Sequence, residues 1–198
     1  MIASISLPEP RRSGGMPLRD ALMARRSCRK YAPRRFDLRS DIDLQLLSDL
    51  LWAAFGPVSP KRRSAPSSHN RQEIELYILL PEGVFRYDAA ENVLVVLSGD
   101  DLRAASGLQE YVGTAAAEIV FVARTELVTG KSPRGVAETV YADTGYISEN
   151  IYLFCASEGL ATVVRAMVPK EALSAKLALA PAQEITLVQT VGWRDASQ

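Results

Sequence analysis

The feature that most constrains this chain is the run "AETVYADTGYISENIYLFCASEGL" at residues 137–160. Val140, Thr144, Ile147, Ile151 and Phe154 recur at helical spacing, so the run predicts a long helix with one core-facing side. Ala142, Gly145 and Ser148 form a second line of small residues, where another backbone can approach closely. The segments around it read as strands for such a helix to lie on. "IELYILL" and the buried "AEIVFVAR" are two of them, and "GVFRYDAAENVLVVLS" supplies two more about a turn at Asp88–Asn92. "ATVVRAMV" is strand-like and "EITLVQTVGW" closes the chain as a strand. In "SDIDLQLLSDLLWAAFG", Leu44, Leu47, Leu51 and Phe55 mark a second clear helix. Ser40 with Asp43 resembles a capping box at its start, and Gly56 ends it. Shorter helices are expected in "PLRDALMARRS", with Pro17 in the first turn, in "GDDLRAASG" and in "PKEALSAKLAL". Residues 57–73 and 125–136 read as loops. This order predicts an α+β fold, a central and mostly antiparallel sheet flanked by helices. Residues 1–16 form an extended arm, disordered or wrapped on a partner, 17–194 a single domain, and 195–198 a tail.

Bulk properties bound the function. The chain has 198 residues, with 23 basic and 23 acidic side chains, and it is long enough to bury a substantial core. A neutral balance argues against nucleic acid as the main partner, because phosphate binding leaves a basic surplus. Cys28 and Cys155 lie far apart with no ligand-spaced partner, so neither a zinc ribbon nor a disulfide framework is indicated. No apolar run reaches the length of a membrane span, and residues 1–7 lack a signal-peptide pattern. The expected location is the cytoplasm. GxGxxG, GxxxxGK[ST] and GxSxG motifs are absent.

The arginines are unevenly placed. Arg25, Arg26, Ser27 and Arg29 follow a predicted helix, and guanidinium groups bind phosphate in a bidentate manner, with a Ser hydroxyl adding another hydrogen bond. That end of a helix has the wrong dipole for an anion, so these side chains must bind it themselves. Equally, they can serve only to complement the dipole. In "RRSAPSSHN", Pro66 stiffens the chain, Ser67 and Ser68 offer hydroxyls, and Asn70 donates and accepts. This suits the edge of a planar heterocycle, and equally a solvated turn. His69 is the single histidine and has no companion for a metal site. In "EGLATVVR", a helix stops at Gly159 and a strand begins, a junction open to backbone contact with a ligand and also an ordinary helix cap. Arg194 follows Gly192-Trp193 and can reach the same phosphate. Cys28 among its arginines is either a reactive thiol or a half-buried passive one. "RRS" also occurs at Arg11-Arg12-Ser13, expected to face solvent from the arm, and at Arg62-Arg63-Ser64, which introduces the Pro66–Asn70 loop.

Taken in order, "RRSCRKY", "APSSHNRQEIELYIL", "ADTGYISENIYLFCASEGLATVV" and the closing "VGW" resemble the nitroreductase family of FMN-dependent oxidoreductases. The resemblance runs from Leu18 to Trp193, and "RSAPSSHNRQEIELYILLPEGVFRYD" looks most like the SagB-type dehydrogenase branch. It implies a homodimer with FMN in each of two clefts at the subunit interface. Arg25, Arg26, Ser27 and Arg29 would hold the phosphate and ribityl end, and Pro66, Ser67, Ser68 and Asn70 would come from the other subunit. Val163, Val164 and Arg165 match the segment beside the isoalloxazine, and Arg194 would close over the phosphate. NAD(P)H would be a transient donor and a nitroaromatic, quinone or related small molecule the acceptor, in ping-pong exchange through the flavin. No catalytic side chain and no metal are implied, because the flavin carries the chemistry. This chain departs from the family in having no Pro after Trp193 and a short loop at Thr125–Gly135. Two alternatives stand beside this reading: a SagB-like dehydrogenase oxidising an azoline or other small substrate, and a non-catalytic flavin-binding module.

Overall fold

The computed structural model describes residues 3–195. At its centre, seven strands pair in the order β1-β6-β5-β4-β7-β9-β8, and every neighbouring pair is antiparallel. They are β1 (Ser4–Ser6), β4 (Ile74–Leu80), β5 (Gly83–Asp88), β6 (Val93–Ser98), β7 (Ala117–Arg124), β8 (Leu160–Arg165) and β9 (Gln183–Trp193). The period of two assigns the faces of the central strands. Ile74, Leu76, Ile78 and Leu80 of β4, with Ile119 and Phe121 of β7, point into the larger core. Tyr77, Leu79, Val120 and Val122 point into a smaller core on the opposite face. Both faces are covered, so these strands read as unbroken apolar runs. Strand β9 carries one extra residue opposite β7: Val120 pairs with Val188 and Val122 with Ile185, which turns both Ile185 and Val188 toward the smaller core.

Two helices build the larger core. In α2 (Asp41–Phe55), the Asp43 N–H donates to the Ser40 side chain as expected. The Asp43 carboxylate does not return to the cap. It pairs with Arg34 and accepts from the Asp37 N–H instead. Helix α3 (Pro133–Ser157) begins earlier than the sequence suggests, taking Pro133 and Gly135 out of the expected loop. Pro is compatible with a first helical turn, and Ser132 caps the helix by accepting from the Gly135 N–H. Helices α1 (Leu18–Ala24) and α4 (Lys170–Lys176) are short. The first packs on α3, and α4 with the 3-10 turn Arg103–Ser106 covers the smaller core.

Three expectations need correction. The arm is extended, but it is neither loose nor separate, because Ser4–Ser6 adds an edge strand to β6 of the same chain. Beyond it, the Pro8 carbonyl accepts from Ser48 and Asn92, and the Met16 N–H reaches Ser157 at the end of α3. The first "RRS" copy is likewise not simply solvated: Arg11 pairs with the buried Asp49 at 2.6 Å. Residues 57–73 are more than a loop, since β2 (Pro57–Ser59) and β3 (Arg62–Arg63) form a small ribbon. Of the expected tail, residues 196–198 lie outside the described residues. No helix among the described residues is long and apolar enough to cross a membrane.

Candidate functional site

The first candidate segment leaves α1 and runs along the outer edge of β8. The Cys28 N–H donates to the Thr162 carbonyl at 2.9 Å, and Tyr31 and Ala32 continue along the end of β9. One side chain ties this segment to α3. The Tyr152 hydroxyl lies 2.9 Å from Ser27 Oγ and accepts from the Val164 N–H at 3.0 Å. The Arg25 guanidinium lies over the Tyr152 ring, 5.4 Å from its centroid, and 4.0 Å from Glu149. Arg26 and Arg29 extend outward, exposed and with no hydrogen bond or ion pair from their side chains among the described residues. Arg194 stands nearby and donates to the Leu160 carbonyl at 3.1 Å. Arg25, Ser27 and Val164 thus meet at Tyr152, and Arg194 is held at the start of β8.

Tyr152 itself gave no signal in the sequence beyond its place in the helix. Its hydroxyl serves two partners. Tyr152→Phe is expected to cost about 1–2 kcal/mol of stability, the usual loss when buried hydrogen bonds go unmet. Urea unfolding of the two proteins measures it, and equal midpoints would remove Tyr152 from this role.

Cys28 is buried rather than half-buried, so the reactive-thiol reading falls. Arg165 is also placed otherwise than its sequence position suggests. Its side chain is drawn inside, pairing with Glu118 and donating to Thr190 and Ser106. The Arg165 guanidinium therefore does not face outward from β8. Val163 is buried and Val164 half-buried.

The second candidate segment lies elsewhere, against the N-terminal half of α3. The Ser68 N–H donates to Asp143 at 2.8 Å, while Ser67 Oγ accepts from the Gln72 N–H. Asp143 precedes Tyr152 by nine residues, about 13 Å along a helix axis. Within one chain the loop and the Arg25–Arg29 segment are thus anchored at different levels of α3. The loop is tightly formed: His69, Asn70 and Gln72 all take positive φ, near 54°, an arrangement that costs energy for residues with side chains. Asn70 and Gln72 both donate to the Lys61 carbonyl, which fastens the loop to the ribbon. A cleft of about 460 Å³ opens between Ser67, Ser68 and α3, lined also by Lys131, Glu138 and Tyr146.

Beneath that loop lies a pair the sequence does not reveal. Glu73 is fully buried, with no hydrogen-bond donor facing either carboxyl oxygen, and it lies against Asp143. Burial first, then the neighbouring Asp143, push the Glu73 carboxyl up to about 7. A single Glu at the head of an apolar strand has no periodic signature, and Asp143 is distant in sequence. No group of three or more His, Cys, Asp or Glu among the described residues is arranged to hold a metal ion.

This fold and these two segments define a class. The sequence pattern described as "Nitroreductase family" matches residues 22–193, and the chain belongs to that family. A Ralstonia eutropha JMP134 structure assigned as a nitroreductase is 36% identical, covering 98% of this chain and 90% of that chain with a TM-score of 0.88. An assigned nitroreductase of Methanocaldococcus jannaschii is 27% identical over 157 residues, 74% of this chain and 76% of that protein. An Anabaena variabilis structure, also assigned as a nitroreductase, shares the fold at 18% identity and a TM-score of 0.78, across 98% of this chain and 42% of that one.

Proposed function

We propose that this protein is an FMN-dependent oxidoreductase that oxidises NAD(P)H and reduces a nitroaromatic, quinone or related small acceptor, working as a homodimer in the cytoplasm. The observation that carries the reading is the Tyr152 node. It fixes Ser27 and the β8 backbone to one helix and leaves the Arg26 and Arg29 guanidinium groups unpaired at the surface beside it. Unpaired arginines beside a positioned hydroxyl fit a phosphate. Arg25, Arg26, Ser27 and Arg29 would hold it, with Arg194 close by. FMN, when bound, supplies the hydride-carrying ring. The chain's own residues bind and orient that ring, and the backbone of residues 162–165 is the wall beside it. The Pro66–Asn70 loop would serve the partner's site, which accounts for its distance from Arg25–Arg29 within one chain. Exposed apolar side chains support the dimer: Leu18, Leu22 and Met23 of α1 and Tyr146 of α3 lie on the surface, with Met23 89% exposed. Of the small-residue line on the same helix, Ser148 is buried, while Ala142 and Gly145 are exposed and a Cβ added at Gly145 meets nothing.

An anaerobic titration with NADH and NADPH, followed by flavin absorbance, tests the reading. The purified protein should be yellow, release FMN on denaturation, and bleach at one donor per flavin. A colourless protein that cannot be reconstituted with FMN sinks it. A flavin that no nicotinamide bleaches sinks the donor assignment.

A further inference from the structure

The third "RRS" copy, Arg62-Arg63-Ser64, is not absorbed by the site described above. It sits on the β2–β3 ribbon and lines a cleft of about 670 Å³ that shares Pro66 and Ser67 with the α3 cleft. The charge of this wall is one-sided. Lys61, Arg62 and Arg63 all line it and no carboxylate does. None of the three forms an ion pair among the described residues. Three like charges held together repel one another, and a fold tolerates them most easily where an anion is bound.

Two polar atoms of this triplet are left without a partner among the described residues. Arg63 Nη1 and Ser64 Oγ are buried and have no hydrogen-bond partner. Arg63 is otherwise held fast, its Nε donating to Gln72 at 2.9 Å and its guanidinium lying over the Phe55 ring. Burial pulls its pKa down, against the opposing influence of Tyr87 and Asp88 on its other side. The ribbon is joined to the loop through the Lys61 carbonyl, which accepts from both Asn70 and Gln72. A phosphate on the ribbon and a planar ring against Pro66–Asn70 would therefore belong to one continuous surface.

We propose that Lys61, Arg62 and Arg63 form a subsite for the pyrophosphate of the nicotinamide dinucleotide donor. This rests on the donor assignment above and deepens it. The chain has no glycine-rich phosphate loop, so the donor's phosphates must be held by side chains. This cleft is basic and adjoins the loop. Lys61 and Arg62 supply the exposed charges, and Arg63 adds a half-buried one held by Gln72 and Phe55.

The test uses the FMN-loaded protein and its Lys61→Glu/Arg62→Glu variant. Both residues are exposed, so the fold should hold, and an unchanged flavin spectrum with an unchanged unfolding midpoint checks this. Calorimetry first measures binding of ADP-ribose, which carries the pyrophosphate but neither nicotinamide nor hydride. The unaltered protein should bind it, more weakly as salt rises, and the variant at least about tenfold more weakly. Anaerobic reduction is then compared between NADPH and benzyl dihydronicotinamide, a donor without phosphate. The ratio of their second-order rates should fall at least about tenfold in the variant. Equal ADP-ribose binding by both proteins, or none by the unaltered one, overturns the subsite. So does inorganic phosphate competing with ADP-ribose at equal concentration, which would leave only a bare anion site. If neither donor reduces the flavin, the proposed function fails, and the binding measurement still decides the subsite.

Discussion

Replacing Arg165 by Met is expected to lower stability by about 3–5 kcal/mol while leaving flavin affinity per folded molecule unchanged. Arg165 is only 5% exposed and Glu118 is fully buried. The two lie on β8 and β7, with β9 between them, so the pair reaches across a strand rather than along one. Thr190 of β9 joins the contact, accepting from Arg165 and donating to Glu118 at 3.0 Å. Glu118 Oε1 already lacks a partner. Burial pushes the Glu118 carboxyl up to about 7, against the pull of Arg165 and Thr190. Without Arg165, the folded protein holds the Glu118 proton to still higher pH than the unfolded chain does. The loss of stability therefore grows as pH rises. Urea unfolding at two pH values measures it, and FMN titration of the refolded variant measures affinity. A stability loss below about 1 kcal/mol with a sharp fall in flavin affinity would make Arg165 a flavin ligand after all.

Glu73→Gln is expected to raise stability on the alkaline side by about 1–3 kcal/mol and to flatten its pH dependence. The sign follows from a raised pKa in an acid. Between the ordinary 4.5 and about 7, the unfolded chain releases the Glu73 proton and the folded protein keeps it. The Glu73 contribution to stability is then largest below pH 4.5, falls through this window, and is level above it. A Gln amide can donate to Asp143 as the protonated carboxyl does, without the charge. The Ser68 N–H keeps its Asp143 acceptor, so the loop should hold its shape. Thermal unfolding across the window, with the slope of the variant set against that of the unaltered protein, is the measurement. Identical slopes would show that Glu73 does not titrate there.

The strands and helices were largely legible because their cause is local. "IELYILL" and "AEIVFVAR" are apolar throughout, since helices cover both faces of the central strands, and the structure keeps them as β4 and β7 with their expected bounds. Ser40 caps α2 through an interaction three residues long. The start of α3 was less legible, because Pro133 suits a loop and a first helical turn equally well. The β2–β3 ribbon has no apolar period to announce it. The arm's strand was hidden for a different reason: Ser4–Ser6 has no pattern of its own and is a strand only because β6 offers an open edge.

What the sequence by itself determined is the order of elements and the family its segments define, since spacing and residue type are carried by neighbours along the chain. What only the tertiary structure decided is which charges are available. Arg11, Arg34 and Arg165 are paired with carboxylates, whereas Arg26, Arg29, Lys61 and Arg62 are left facing outward. An arginine reads the same in sequence whether its partner is bulk water, a buried acid or a phosphate. The partners lie from nine to 47 residues away, and only the packing of helices on a sheet brings them within reach.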